Sequence, residues 1–270
     1  MERARRGGER RDADTALRVP RVLVSGAGGK MGTAMREYLA ESAVLRLFAG
    51  VDPAGRGAGE YLWYPSFDLV RGRPDAVVDF SHHTALPAVA DYALSVDCPL
   101  VVATTGHTPD ENERMLRAAE KIPVFRAANF SLGAALLTEF TRRLAAVFPE
   151  GDMEIVEAHH TGKRDAPGGT AFALYQAVRE ARPRATANPG RRGEGLRTKN
   201  EVGIHALRLG MLPGTHSVLL ATPEEGITLT HTAYTPRVFA AGAARAVLFL
   251  IGASPGLYSM ADLLYRRGDR

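Results

Sequence analysis

Two adjacent imidazoles and an ammonium, His159, His160 and Lys163, stand directly ahead of Gly168-Gly169-Thr170 in the string EAHHTGKRDAPGGTA, Glu157 to Ala171. Imidazoles exchange protons near neutral pH, and a lysine ammonium pairs with carboxylate or phosphate. The apolar run Met153 to Val156 reads as a strand and Asp165-Ala166-Pro167 as a turn. From Thr170, AFALYQAVREA reads as a helix with apolar residues at helical spacing. The first N–H groups of such a helix bind anions, and Gly168 and Gly169 let a ligand approach the main chain. The segment has the layout of an anion clamp, Lys163 on one side and Gly169 and Thr170 on the other, beside groups able to donate a proton. Metal binding is the rival chemistry for paired histidines. Neighbours on an extended segment point to opposite faces, and no cysteine or carboxylate follows at ligand spacing, so no metal site is expected.

A second glycine cluster lies near the start, in VLVSGAGGKMG, Val22 to Gly32. It follows a strand and opens a helix, the context of a dinucleotide fingerprint. Gly26, Gly28, Gly29 and Gly32 permit the tight turn, the approach of a pyrophosphate and close helix packing, with Lys30 and Met31 among the expected cofactor contacts. Asp52 ends the next strand and is placed to accept hydrogen bonds from a ribose diol. That carboxylate would repel a 2′-phosphate, and Pro53 supplies no cation beside it, so the expected cofactor is NADH or NADPH with NADH favoured.

Elements must carry these sites. From Arg21 the chain alternates: RVLVSGAG and a helix over Lys30 to Ser42; LRLFAGVD and a loop; DAVVDFS and a helix through Val96; PLVVATTG and a helix from Asp110; then IPVFRAANF. This predicts an α/β fold with a doubly wound parallel sheet of the Rossmann kind over residues 21–130. After a helix between Ser131 and Phe148, VGIHALRLG, THSVLLATP and GITLTHTAY read as strands without helices between them. They predict a second α+β domain, 131–237, with a mixed or antiparallel sheet for substrate binding and oligomerisation. Arg182 to Asn200 reads as a loop. The helix Val238 to Ile251 and its tail, 238–270, are expected to pack back on the first domain.

Composition sets the remaining bounds. The 270 residues suit one large or two modest domains, and no apolar run reaches the roughly 18–20 residues that span a bilayer. A single cysteine, Cys98, excludes an intrachain disulfide and points to a reducing compartment, so a cytoplasmic location is expected. Its setting, DCPLVVATTG, reads as a packed thiol, which disfavours a cysteine-dependent semialdehyde dehydrogenase. The net charge of +4 is not concentrated on one face. Residues 1–20 hold six Arg and four acids without apolar periodicity and read as a disordered arm, not a signal or transit peptide.

The string at 157–171 also resembles the signature of the 4-hydroxy-tetrahydrodipicolinate reductase (dihydrodipicolinate reductase) family, Glu-x-His-His-x-x-Lys-x-Asp-Ala-Pro-Ser-Gly-Thr-Ala, departing only at Gly168. VVDFSHHTA, VVATTGHT, AANFSLG, RLGMLPGTH and THTAYTPRVFAAGA resemble further family segments, so the likeness spans about residues 21 to 260. It implies hydride transfer from a reduced nicotinamide to a cyclic imine bearing two carboxylates, then protonation, in lysine and diaminopimelate biosynthesis. It also implies His159 as general acid, His160 as a substrate hydrogen-bonding group and Lys163 as carboxylate partner or imine polariser. Gly169 and Thr170 would hold a carboxylate. Phe80, Thr104, Thr105, Gly106, Ala128, Asn129 and Phe130 would border the nicotinamide, and the protein would be a homotetramer built through the second sheet. Ala103, His107, Gly168 and Pro236 depart from the family pattern and favour, as the alternative, an imine reductase for another ring substrate. A non-catalytic nucleotide sensor using the Arg-rich arm to contact nucleic acid is the reading from another class; the intact His159, His160 and Lys163 argue against it, and neither a nucleic-acid nor a membrane partner is expected.

Overall fold

The computed structural model describes residues 18–54 and 61–265; the arm expected to be disordered lies almost wholly outside them, at 1–17. The first part runs β1 (Arg21–Ser25), α1 (Lys30–Glu41), β2 (Arg46–Val51), β3 (Trp63–Tyr64), β4 (Ala76–Asp79), α2 (Leu86–Ser95), β5 (Leu100–Val102), α3 (Pro109–Ala119) and β6 (Pro123–Arg126). These are short Val- and Leu-rich runs buried on both faces, as a parallel sheet covered by helices requires. Val22, Val24, Val78 and Phe125 belong to the core of one face, shared with Met35 and Leu39 of α1 and with the later helix at Arg237–Leu250, while Leu23, Val77, Leu100 and Val124 belong to the core of the other, shared with α2 and α3. Thr108 caps α3 through a reciprocal pair with Glu111, and Pro109 occupies the first turn.

The chain continues through α4 (Leu132–Val147), β7 (Asp152–His159), α5 (Gly169–Ala181), β8 (Thr186–Asn188), β9 (Glu201–Arg208), β10 (Thr215–Ala221) and β11 (Gly226–Thr232). It then returns with α6 (Arg237–Leu250), β12 (Gly256–Tyr258) and α7 (Met260–Leu264). The first sheet has the order β12-β6-β5-β4-β1-β2-β3 with every pair parallel. The second, β11-β10-β7-β9-β8, is mixed: β7, β8 and β9 run parallel, and β10 and β11 are antiparallel. Helix α6 joins the core of the first sheet through Ala243, Val247 and Leu250. Among the described residues no helix is long and apolar enough to cross a membrane.

Two differences from the sequence reading concern length. Strands β3, β8 and β12 are only two or three residues long and take their extended form from the strand beside them, so no local pattern announces them; β8 lies inside the stretch expected to be all loop. Strand β7 runs on to His159, where the sequence suggests an end near Val156. It is paired on both edges, by β10 from Asp152 to Ala158 and by β9 from Met153 to His159, so the ladder continues after the apolar residues stop.

Candidate active site

The second sheet presents alternate residues to α4 and α5, and following those positions toward the C-terminal end of β7 leads to the site. Met153 lies beside Leu220 and Ile155 beside Val218, and these pair in turn with Ile227 and Leu229. The next row on the same face is Glu157, His216 and His231. One step further His159 sits beside Arg208 of β9. The apolar core thus gives way, in register, to a row of titratable groups under the start of α5.

Glu157 is the hub. Its side chain is fully buried, and it accepts from Arg208 Nη2 at 2.7 Å and from the Gly168 N–H at 3.0 Å, while its second oxygen meets His159 Nδ1. Burial works to raise its pKa, but the hydrogen bonds from Arg208, Gly168 and His159 outweigh it and hold the carboxyl below its ordinary value. Burial lowers the pKa of His159, and the Glu157 bond and charge partly restore it. Because Glu157 takes the Nδ1 edge, Nε2 is the edge left to exchange a proton. His216, 6% exposed, lies edge-on to His159 with ring centroids 5.1 Å apart, and burial pushes it down to about 4, so it is neutral near pH 7.

The segment RLGMLPGTH wraps this pair. Leu209 N–H donates to the His159 carbonyl and His160 N–H to that of Leu212, each at 2.9 Å. Gly214, at φ +151°, stands where a Cβ would come within 2.9 Å of His159 Nε2, so only glycine seats the ring there. Lys163 Nζ is paired with both oxygens of the exposed Asp165, at 2.7 and 2.8 Å. The Thr170 hydroxyl accepts from Asn129 Nδ2 at 3.0 Å. The start of α5 has no side-chain cap, which leaves its first N–H groups for a ligand.

A cleft of about 970 Å³ unites the expected groups: Met31, Phe80, Thr105, Ala128, Asn129 and Phe130 come from the first sheet's side, and His159, Lys163, Gly169 and Thr170 from the second's. His160 is not part of that wall. Its ring lies over Gly162, since the residue after the inward-facing His159 takes the other side. Thr104 and Gly106 also stay off the wall; the Thr104 hydroxyl faces the buried Asp79 at 3.3 Å and His107 Nε2 at 2.8 Å. Of the positions that depart from the family pattern, Ala103 lines the cleft. Gly168 leaves a notch that the Lys163 chain occupies, since a Cβ there would meet Lys163 Cε at 2.9 Å. Arg237, beside Pro236, bonds Glu41 at 2.5 Å and lies over Tyr38, on α1.

Beside Met31, Gly32 packs so close to the β1–α1 turn that a Cβ would fall 2.1 Å from the Gly26 carbonyl. Gly29 stands at the N-cap of α1 without a side-chain cap. Asp52 accepts from the N–H groups of Gly28 and Ala54, each at 3.0 Å, leaving lone pairs for a ribose diol. The turn, the uncapped helix start and the carboxylate fit a nicotinamide dinucleotide: Gly26, Gly28, Gly29, Lys30 and Gly32 would hold the pyrophosphate and Asp52 the ribose.

A parallel dinucleotide-type sheet sharing a cleft with a wall that carries an imidazole, an ammonium and an uncapped helix start is the build of a two-part nicotinamide-dependent oxidoreductase. The comparisons with known proteins narrow this. Residues 20–130 match the family described as dihydrodipicolinate reductase, N-terminus, and residues 133–264 its C-terminus. The chain belongs to the dihydrodipicolinate reductase family. It is 39% identical over 246 residues to the 4-hydroxy-tetrahydrodipicolinate reductase of Caldanaerobacter subterraneus subsp. tengcongensis, covering 90% of this chain and 98% of that one. To the Thermomicrobium roseum enzyme of the same name it is 42% identical over 256 residues, covering 90% and 99%. Among solved structures, a dipicolinate-bound dihydrodipicolinate reductase from Paenisporosarcina sp. TG-14 superposes with a TM-score of 0.77 at 26% identity, covering 90% of this chain and 98% of that one.

Glu157 and Arg208 escaped the sequence reading as a pair, although each stands in a recognised motif; only the parallel register of β7 and β9 brings them together. Their coupling to His159 is testable. In Glu157→Gln the pKa of His159 falls further, because the carboxylate is what offsets burial, and the lost charge-assisted bonds cost about 1.5–3 kcal/mol of stability. Imidazole NMR titration and urea unfolding read the two effects; an unmoved His159 titration would show that Glu157 does not set its charge.

Proposed function

We propose that this chain reduces 4-hydroxy-tetrahydrodipicolinate, a cyclic imine with two carboxylates, to tetrahydrodipicolinate in diaminopimelate and lysine biosynthesis. The observation that carries the reading is the convergence of His159, Lys163 and the uncapped Gly169-Thr170 helix start on one wall of the cleft, facing Met31, Phe80, Thr105 and Asn129. The names of the relatives support it. A bound NADH or NADPH supplies the hydride; with one proton taken up and the 4-hydroxyl leaving as water, the atoms balance.

The chain's own part is binding and proton delivery. Lys163 exchanges Asp165, which is exposed, for a substrate carboxylate. The N–H groups of Gly169 and Thr170, with the Thr170 hydroxyl positioned by Asn129, hold carboxylate oxygens. His159 gives the proton from Nε2, and two substrate carboxylates beside it raise its proton affinity at the moment it is needed. Glu157 keeps the ring in the tautomer and rotamer for that transfer. A second copy of the chain is proposed to cover the open face of the second sheet, where Leu207 and Leu219 are 48% and 38% exposed, as part of a homotetramer.

The test is oxidation of NADH and NADPH with freshly generated 4-hydroxy-tetrahydrodipicolinate. Turnover is expected with both, and kcat/KM with NADH at least equal to that with NADPH; a preference for NADPH beyond about tenfold would contradict the role given to Asp52. Pyridine-2,6-dicarboxylate should compete with substrate, and Lys163→Ala should weaken it by about 10- to 150-fold, the worth of a charge-assisted hydrogen bond. If the diacid fails to bind while NADH still does, the dicarboxylate assignment falls, leaving a reductase of another imine.

A further inference from the structure

We propose that Glu157, His159 and His216 form a binding site for a borderline divalent cation, with Zn²⁺ the best match. Each offers one ligand atom, and these atoms lie within 4.8 Å of one another. A second, separate observation points to a ligand: His216 is 94% buried, yet its Nε2 has no hydrogen-bond partner. A buried ring nitrogen without a partner is costly, and a cation that accepts its lone pair removes the cost. Two imidazoles and a carboxylate are the donor set of open zinc sites, which keep a further position for water or substrate. Of the three, His159 lines the cleft, and Glu157 and His216 are buried.

The surroundings suit a metal-bound carboxylate. One Glu157 oxygen is held by Arg208 Nη2 and the Gly168 N–H, which fixes the side chain and leaves the other oxygen for the ion, as outer hydrogen bonds do in established sites. Tetrahedral coordination at zinc distances separates ligand atoms by about 3.4 Å, so small rotations of the two rings must part the hydrogen-bonded Glu157 and His159 atoms and bring His216 nearer, each by on the order of 1 Å. The ion takes the place of the proton that His159 Nδ1 shares with Glu157, and that proton leaves to solvent. Arg208 and Lys163 bring positive charge, the latter offset by Asp165, which sets an affinity suited to reversible occupancy and not to a structural metal. The sequence offers His159 and His160 as the pair to consider, and these diverge; the fold supplies His216 instead, from the neighbouring strand.

Occupancy withdraws His159 from proton transfer. That consequence rests on the proposed reaction, whereas binding does not. The experiment uses the full chain, stripped with a chelator and dialysed, titrated with Zn²⁺ against a chromophoric competitor, and with Co²⁺ as spectroscopic probe. The expected result is one Zn²⁺ per chain and Co²⁺ visible bands of a four- or five-coordinate ion. His216→Gln should abolish the bands and weaken Zn²⁺ by at least about 100-fold, the upper end of what loss of an outer partner costs. Retained NADH binding shows that the variant is folded; should His216→Gln lose it, His159→Gln replaces it in the same comparison. Equal Zn²⁺ affinity in wild type and variant, a six-coordinate Co²⁺ spectrum, or no binding by the wild type overturns the site. Binding with these signatures but unchanged turnover upholds the site and counts instead against His159 as the proton donor.

Discussion

A carboxylate with no exposed surface stays ionised only if donors surround it, and Glu157 is that constraint in this chain. Its donors come from separate places: the Arg208 guanidinium from the end of β9, the Gly168 N–H from the start of α5, and the imidazole of His159 from two residues along its own strand. Satisfying one charge therefore fixes the register of β7 against β9, the point where the helix begins and the rotamer of the imidazole. Removal of any partner leaves the others buried and underbonded, so the arrangement is held as a unit.

The same economy of contacts joins the two sheets. Asn129 donates to Thr170 in the first turn of α5 and accepts from the Ser131 N–H at 2.8 Å. Ser131, fully buried, caps α4 and meets His231 Nε2 at 3.1 Å. The crossing from the nucleotide side to the substrate side is thus built from side chains that are themselves hydrogen-bonded at both ends. The start of α5 and the first sheet's side of the cleft are joined through Asn129, and both line one cleft.

Much of this was legible in the sequence because it is local. The glycine turn before α1, the long helices and the strand-to-helix string around His159 and Lys163 are written in consecutive residues, and the structure places the helices within a residue or two of the expected limits. Strands β3, β8 and β12 were not legible, since two or three residues carry no period and exist only through pairing. The site was half legible for the same reason. His159, Lys163, Gly169 and Thr170 are local and converge, whereas the partnership of Glu157 with Arg208 and the edge-on packing of His216 depend on which strands lie side by side. His160, Thr104 and Gly106 were legible as neighbours of those residues, but which of them line the cleft depends on the turn of the strand and loop that carry them.

The central claim is that Glu157 acts on the reaction only through His159. A double-mutant cycle on kcat with Glu157→Gln and His159→Gln tests this most directly, since residues that work as a unit are grossly non-additive. The account predicts that His159→Gln alone loses about 10²- to 10⁴-fold, the span of a lost general acid, and that adding Glu157→Gln costs little more. If the two losses multiply, the carboxylate serves catalysis by a route of its own, and the dyad as described here is contradicted.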